Sequence, residues 1–273
     1  MKNAQSSMKK ILVPIDFTRL SDKVIEQAAV LSLASDASLV LLHCTEKSAD
    51  LASIGVKLAD KAVKASKKYN VSCDSKLIEG SIFKVIPAEA DQNDYQLVVI
   101  GTHGIRGFRQ KLLGADILKL ITKIAVPVLV VQSTSQFRKS FDKIILPVAT
   151  HLAYENILQA VVKVGKLFDS EVHIYSIERQ GFGVPDQIKK NLQKTVSLFE
   201  ENSIRHKRVS EKQTVVSVGF AFQTLQYAKK EGADMIAIMS VSSEEYHYFA
   251  KQDKENLLCN DSGIPVLCAS NVE

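Results

Sequence analysis

The chain alternates short apolar runs with amphipathic segments, and this alternation predicts strands and helices in turn. The apolar runs are rich in branched residues and nearly continuous, which is typical of strands covered on both faces. Between them, apolar residues recur every three or four positions, which indicates helices. In the first half the predicted strands are 10–16, 39–43, 75–79, 97–101 and 128–132, and the predicted helices are 22–35, 50–69, 82–90 and 112–123.

The second half of the chain repeats this pattern. Its opening run, IILPVA at 144–149, resembles ILVPID at 11–16, and its closing run, IPVLC at 264–268, resembles VPVLV at 126–130. The opening runs lie 133 positions apart and the closing runs 138, so few residues are inserted between them. A repeat of this length indicates duplicated domains. The predicted strands are 143–149, 171–178, one near 214–218, 235–240 and 266–269, and the predicted helices are 154–168, 186–202, 222–230 and one near 253–259.

Alternating strands and helices predict an α/β fold for each half. Parallel neighbouring strands need long crossover connections, so each half should hold a five-stranded, mainly parallel sheet with helices on both faces. A length of 273 residues suits about two domains. We therefore predict domains at 1–132 and 143–273, joined by a polar linker at 133–142.

Composition narrows the class of protein. Hydrophobic residues at 46% and charged residues at 24% are typical of a soluble globular protein. The net charge of +5 is mild, and no clustered basic face or Trp suggests nucleic-acid binding. No apolar run approaches the ~20 residues of a membrane span, and no secretion signal is evident. The four cysteines lack metal-type spacing. We expect a cytoplasmic protein with reduced thiols.

Candidate chemistry lies where predicted strands end, because open parallel sheets bind ligands at the carboxyl ends of their strands. Asp16 follows the first strand and could accept hydrogen bonds from an adenine or ribose. Gly101 and Gly104 follow the fourth strand, and Gly114 precedes a helix, an arrangement that suits a phosphate. The alternative is that the glycines only shape a tight turn and a helix start, and that Asp16 is a turn or capping acid.

Other catalytic or metal chemistry is not indicated by the sequence. Neither a P-loop nor a GxGxxG fingerprint occurs. His43 and His103 have no partner at metal-ligand spacing, so no metal is expected. No nucleophile–base pair is visible, and we therefore do not expect an enzyme.

Three segments resemble the universal stress protein family. They are KKILVPIDFT at 9–18, VVIGTHG at 98–104 followed after nine residues by Gly114, and VPVLVV at 126–131. The resemblance covers both halves, as in a tandem member. It implies flavodoxin-like (adenine nucleotide alpha-hydrolase-like) domains that dimerise through their last strands, here as an intramolecular pseudo-dimer that could pair further as a homodimer.

The resemblance also implies a ligand and a site. The ligand is an adenine nucleotide, ATP or AMP, with the first-strand acid at the adenine and ribose and the glycine turn at the phosphates. The residues carried over are Pro14, Ile15, Asp16, Cys44, Ile100, Gly101, His103, Gly104, Gly114 and Ala115.

The chain departs from the family's pattern beside the last glycine. Where the family has Ser or Thr, this chain has Ala115, followed by the anionic Asp116 and by Ile117, which offers no hydroxyl. Losing a hydroxyl contact to a charged phosphate weakens binding by roughly 1.5–3 kcal/mol, which is on the order of tenfold to a hundredfold. We expect weak binding of ATP, AMP or another adenine ligand.

The second half lacks the acid and the glycines. An aromatic cluster at 246–249 occupies the former glycine loop, and we interpret it as a plug, with a small-molecule pocket as the alternative. We expect no nucleotide there. Opposite Asp16, Gly101, Gly104 and Gly114 stand Ala149, Met239, Ser242 and Gln252.

These observations favour a stress-response regulatory protein whose N-terminal half binds an adenine nucleotide and whose protein partners are unknown. A second hypothesis is a ligand-free interaction scaffold in which both sites have decayed. A third is an enzyme of the adenine-handling α/β type, related to electron-transfer flavoproteins or nucleotide alpha-hydrolases, which would need a catalytic residue facing the phosphates.

Overall fold

Strands and helices alternate through the first half of the computed structural model. The structure describes residues 9–45, 50–92, 94–102, 114–178, 183–213, 220–241 and 251–270. The first-half elements are β1 (Lys10–Pro14), α1 (Arg19–Ser35), β2 (Ser38–Thr45), α2 (Leu51–Tyr69), β3 (Cys73–Glu79), α3 (Ile82–Gln92), β4 (Tyr95–Thr102), α4 (Gly114–Ile121) and β5 (Val128–Gln132).

The second half repeats the same order of elements. Both halves are α/β, as the sequence predicts, and no described helix is both long and apolar enough to cross a membrane. The second-half elements are β6 (Lys143–Pro147), α5 (Glu155–Phe168), β7 (Glu171–Glu178), α6 (Asp186–Glu201), β8 (His206–Lys212), α7 (Phe220–Lys230), β9 (Met235–Met239), α8 (Lys251–Leu258) and β10 (Val266–Ala269).

The ten strands form one sheet in the order β3-β2-β1-β4-β5-β10-β9-β6-β7-β8. Pairing is parallel within each half, and the halves meet where β10 pairs antiparallel with β5, with Leu267 opposite Leu129. Every residue of β5 and β10 is buried. The last strands of the two halves therefore join them, which is the arrangement that the family resemblance implies.

Strand register confirms the repeat residue by residue. Leu12 pairs with Val98 in the first half, and Ile145 pairs with Ile236 in the second. The first members of these pairs lie 133 positions apart and the second members 138, the two offsets read from the sequence. Positions in the two halves can therefore be compared directly.

Helix ends are repeated as well. Asp36 ends α1 and Asp169 ends α5, each in the left-handed conformation with its backbone N–H bonded to a carbonyl four residues back. Asn70 after α2 and its counterpart Ser203 after α6 are also left-handed. Small polar residues tolerate this conformation, which stops a helix and satisfies its last carbonyls.

The third strand of the second half differs from the prediction. The apolar run near 214–218 lies outside the described residues, and β8 runs instead through the polar segment His206–Lys212. As the outermost strand, β8 has neighbours on one side only and is largely exposed, like β3 at the opposite edge. Such a strand needs few apolar residues, so hydrophobicity alone does not reveal it.

Polar side chains reach across the junction between the halves. The Gln132 amide donates to the Leu258 carbonyl of α8 (3.0 Å), and its counterpart Ser270 donates to the Ile124 carbonyl beyond α4 (2.5 Å). These groups are buried. Unpaired buried polar atoms are costly, so both hydrogen bonds fix how the halves align.

The segment 133–142 is held by both halves. The Gln27 side chain of α1 exchanges two hydrogen bonds with the Arg138 backbone, of 3.0 and 3.1 Å. The Arg138 guanidinium in turn pairs with Asp234, just before β9, at 2.6 Å. The connection is therefore a fixed part of the interface.

Substitution of Gly263 tests how closely the chain is packed at this junction. Gly263 has a positive φ of 64°, and an added Cβ would lie 2.5 Å from the Thr134 carbonyl oxygen in the connecting segment 133–142. Gly232 has the same φ with no neighbouring atom within 4 Å. We expect Gly232→Ala to lower the free energy of unfolding by about 1–2 kcal/mol, the cost of left-handed backbone. Gly263→Ala should cost clearly more in urea unfolding, and equal losses would show that the contact with Thr134 does not constrain the junction.

Candidate functional site

A cavity of about 190 Å³ opens at the carboxyl end of the first-half sheet. It lies between β1 and β4, where the chain reverses its direction of travel across the sheet, the position at which open parallel sheets bind ligands. Its walls are Pro14, Ile15, Asp16, Leu20, Ser21, Val24, Leu42, His43, Cys44, Ile82, Ile86, Ile100 and Gly101.

Asp16 organises the turn between β1 and α1. Its Oδ1 accepts hydrogen bonds from the Thr18 backbone N–H (3.0 Å) and hydroxyl (2.6 Å) and from the Ser21 hydroxyl (2.8 Å). The Ser21 oxygen also accepts from the Asp16 N–H at 3.1 Å. Asp16 is therefore a turn acid, as one alternative held, and it also lines the cavity. These hydrogen bonds fix its carboxylate at the mouth.

Phe17 and His43 form the rim beside Asp16. Phe17 has a φ of 61°, an unfavourable conformation for a bulky residue, and its ring lies 4.6 Å from that of His43. The Lys57 Nζ lies 4.4 Å from the centre of the Phe17 ring, a cation–π contact. His43 Nδ1 lies 2.8 Å from the Ile15 carbonyl oxygen. The rim is thus held in place by several weak contacts.

Cys44 contributes an apolar wall. Burial raises the pKa of its thiol to about 11. Because the thiolate is the nucleophilic form, this cysteine stays protonated and unreactive near neutral pH. It acts as a small hydrophobic group beside the ligand space.

Gly101 is required by packing. It lies within β4, paired with Val131, so it does not form the tight turn considered as an alternative. An added Cβ would lie 2.8 Å from Leu20 and 2.9 Å from Val24 of α1. The missing side chain lets α1 approach β4, and the same close approach brings Leu20 and Val24 to the cavity wall.

The structure brings most of the predicted site residues together. Gly114 and Ala115 begin α4, and Ala115 is exposed and is not among the cavity walls. His103 and Gly104 lie outside the described residues. The predicted residues that line the cavity are Pro14, Ile15, Asp16, Cys44, Ile100 and Gly101.

The sequence prediction missed the helical walls. Leu20, Ser21 and Val24 come from the start of α1, and Ile82 and Ile86 from α3. One signal was available, because a helix that directly follows a ligand-binding strand end must present its first turn to that ligand. The motif of the family names only the strands and the glycine turn.

The second half carries different side chains at the equivalent positions. Bulky side chains replace four cavity walls, and each is at most 4% exposed. The Asn191 amide of α6 also donates to the carbonyls of Ala149 (2.8 Å) and His151 (2.9 Å), directly after β6. The cluster at 246–249 lies outside the described residues. The replacements are Tyr154 for Ser21, Tyr175 for Leu42, Phe220 for Ile82 and Met239 for Gly101.

Comparison with known proteins finds a family that matches the half of the chain holding this site. The universal stress protein family matches residues 8–132, a range that includes every wall of the cavity. The N-terminal half of the chain is therefore similar to that family. The resemblance carried by the strand and glycine motifs is thereby confirmed. No curated protein matches the sequence.

Solved structures extend the likeness in fold to both halves. A universal stress protein from Archaeoglobus fulgidus DSM 4304 matches with a TM-score of 0.71 at 13% identity, covering 96% of this chain and 96% of that one. A functionally unknown protein from Pseudomonas aeruginosa PAO1 matches with a TM-score of 0.64 at 17% identity, covering 98% and 95%. The fold of this chain, across both halves, is therefore similar to that of a solved universal stress protein.

Gly101→Ala tests the packing that shapes the site. The new methyl group would overlap Leu20 and Val24, and overpacking of this kind costs about 1–3 kcal/mol. Gly55 lies inside α2, where an added Cβ would meet Leu77 at an ordinary 3.8 Å, so Gly55→Ala should stabilise by about 0.5–1 kcal/mol. Urea unfolding measures both. If Gly101→Ala is as stable as the wild-type protein, the close approach of α1 does not require glycine.

Proposed function

We propose that this protein is a stress-response regulator that binds one adenine nucleotide, in its N-terminal half only. The observation that carries the proposal is the contrast between equivalent positions, an open cavity in the first half and buried aromatic side chains in the second. The division into domains 1–132 and 143–273 and a cytoplasmic location are parts of the same proposal.

The cavity walls suit an adenosine moiety. Pro14, Cys44 and Ile82 are partly exposed and offer apolar surface to a flat base, and the fixed Asp16 carboxylate offers acceptors to ribose hydroxyls. Ligand pockets usually measure roughly 300–1,000 Å³, so about 190 Å³ fits the base and sugar better than a whole nucleotide. The phosphates would extend beyond these walls, and our proposal gives them His103 and Gly104 as neighbours.

The proposal favours a nucleotide with few phosphates. Asp116, in the first turn of α4, places a negative charge near the helix end that the family pattern assigns to phosphate. The triphosphate of ATP would meet more of this repulsion than the monophosphate of AMP. We therefore expect AMP to bind at least as well as ATP.

We also propose that the protein is a binding module without dedicated catalysis. The ionisable walls are Asp16, His43 and Cys44. The Asp16 carboxylate is engaged in the turn, His43 Nδ1 faces the Ile15 carbonyl, and the raised pKa of Cys44 disfavours its thiolate. Among the described walls, no nucleophile is therefore paired with a general base.

Isothermal calorimetry with AMP, and with ATP and Mg²⁺, tests the nucleotide site. The nucleotide-stripped wild-type chain should bind one AMP. Asp16→Asn keeps the side-chain oxygen that the turn needs but removes the charge, and should weaken binding tenfold to a hundredfold, the effect of about 1.5–3 kcal/mol. The control is Asp22→Ala, which removes an exposed acid paired with Lys61 at 2.7 Å and should leave affinity unchanged.

Three outcomes would contradict the proposal. Two nucleotides per chain would mean that the second half also binds. No heat with either nucleotide, up to millimolar concentration, would leave the ligand-free scaffold as the better hypothesis. Turnover of ATP that is lost in Asp16→Asn would instead favour an enzyme.

A further inference from the structure

Lys254 is an unusual residue in the second half. It lies in the first turn of α8, at the position equivalent to Asp116 in the first half, and is 1% exposed. Within the described part of the chain, its Nζ has no hydrogen-bond partner. An ammonium group that is removed from water without a partner is destabilising, so this lysine calls for a specific explanation.

The charge of Lys254 acts at the carboxyl end of the second-half sheet. Burial, and then the Lys254 charge, lower the pKa of His151 to about 3, and His151 follows β6. The same charge acts on Cys268 in β10. Because β9 lies between β6 and β10, the ammonium lies near the end of β9. That place corresponds to the end of β4, where the glycine motif of the first half begins.

Two buried hydroxyl groups of the second half are also unpaired. Thr150, next to His151, and Thr224, in α7, are at most 3% exposed, and neither Oγ1 has a partner among the described residues. Thr224 occupies the position of Ile86, a wall of the first-half cavity. A hydroxyl in place of an apolar wall is unfavourable unless something accepts its hydrogen.

The carboxylate next to Lys254 in the sequence, that of Asp253, accepts a hydrogen bond from another group. Asp253 Oδ1 accepts a hydrogen bond from the Ala221 N–H, at the start of α7, at 3.0 Å. The ionisable groups whose charges act with Lys254 are Asp253 on its own helix, Cys268 on β10 and His151 after β6. The region therefore presents an ammonium and hydroxyl donors without a carboxylate bonded to that ammonium.

We propose that the second half binds a small tetrahedral oxyanion, such as phosphate, through the Lys254 ammonium and the hydroxyls of Thr150 and Thr224. On this view the second half has been rebuilt: side chains fill the nucleoside space, and a lysine takes the place of the glycine motif as an anion ligand. The site is independent of the nucleotide cavity and does not require it to be occupied.

Thermal unfolding of the full chain in inorganic phosphate tests this site. Sodium phosphate is titrated against sodium chloride at constant ionic strength near pH 7. The wild-type midpoint should rise with phosphate and then follow the logarithmic dependence of a bound ligand. Lys254→Met should unfold at a higher temperature than wild type without phosphate, because it removes a buried unpaired amine, and should show no phosphate response.

The controls separate this site from other sources of anion binding. Lys251→Met removes an exposed lysine one turn earlier on α8, which pairs with Glu255 at 3.9 Å, and should keep the phosphate response. Asp16→Asn should keep it as well, so the oxyanion site can fail or succeed separately from the nucleotide site. A response that survives in Lys254→Met, or none in wild type, would overturn the proposal.

A second measurement uses the wild-type chain, so it does not require that any variant folds. Burial lowers the pKa of Lys254 to about 7, and a bound oxyanion should return it towards its usual value. The ¹³Cε chemical shift of Lys254, followed against pH, should give a pKa at least one unit higher in phosphate than in chloride. The stabilisation by phosphate should fade towards about pH 9, as the amine loses its proton. Identical titrations in the two salts would refute the site.

Discussion

The antiparallel pairing of β5 with β10 is the constraint on which the rest of the molecule depends. Each strand is buried along its whole length and would be an open, apolar sheet edge without the other. Because the pairing is antiparallel, the carboxyl ends of the two half-sheets point in opposite directions. Residues at the carboxyl edge of one half-sheet therefore lie apart from those at the carboxyl edge of the other.

Equivalent positions in the two halves show how their side chains differ. A cavity that no longer receives a ligand loses packing contacts, and filling it restores them. Tyr154 and Tyr175 supply large buried side chains where the first half has Ser21 and Leu42. The first-strand acid of the first half is replaced by Ala149. Together these changes put larger side chains and no acid at the positions that line the first-half cavity.

Sequence reasoning recovered the fold because buried parallel strands have a strong signal. The bounds of β5, β7 and β10 follow directly from their apolar runs. The polar edge strand β8 was missed, although the offset of 133 positions from β3 places it correctly. Among the cavity walls, the motifs point to Asp16 and Gly101. The cavity walls that come from α1 were not predicted, because their position depends on how closely α1 packs against β4. No local sequence pattern encodes that distance.

Helix α1 links the cavity to the second half. It supplies three cavity walls, and on its other side Lys23 donates to the Ser133 carbonyl at 2.6 Å while Gln27 holds the backbone of Arg138. The Arg138 side chain then pairs with Asp234. The first-half cavity is thus shaped partly by contacts that connect α1 to the second half. A fragment ending at β5 would both expose that strand and release α1, so the duplicated half stabilises the site as well as the sheet.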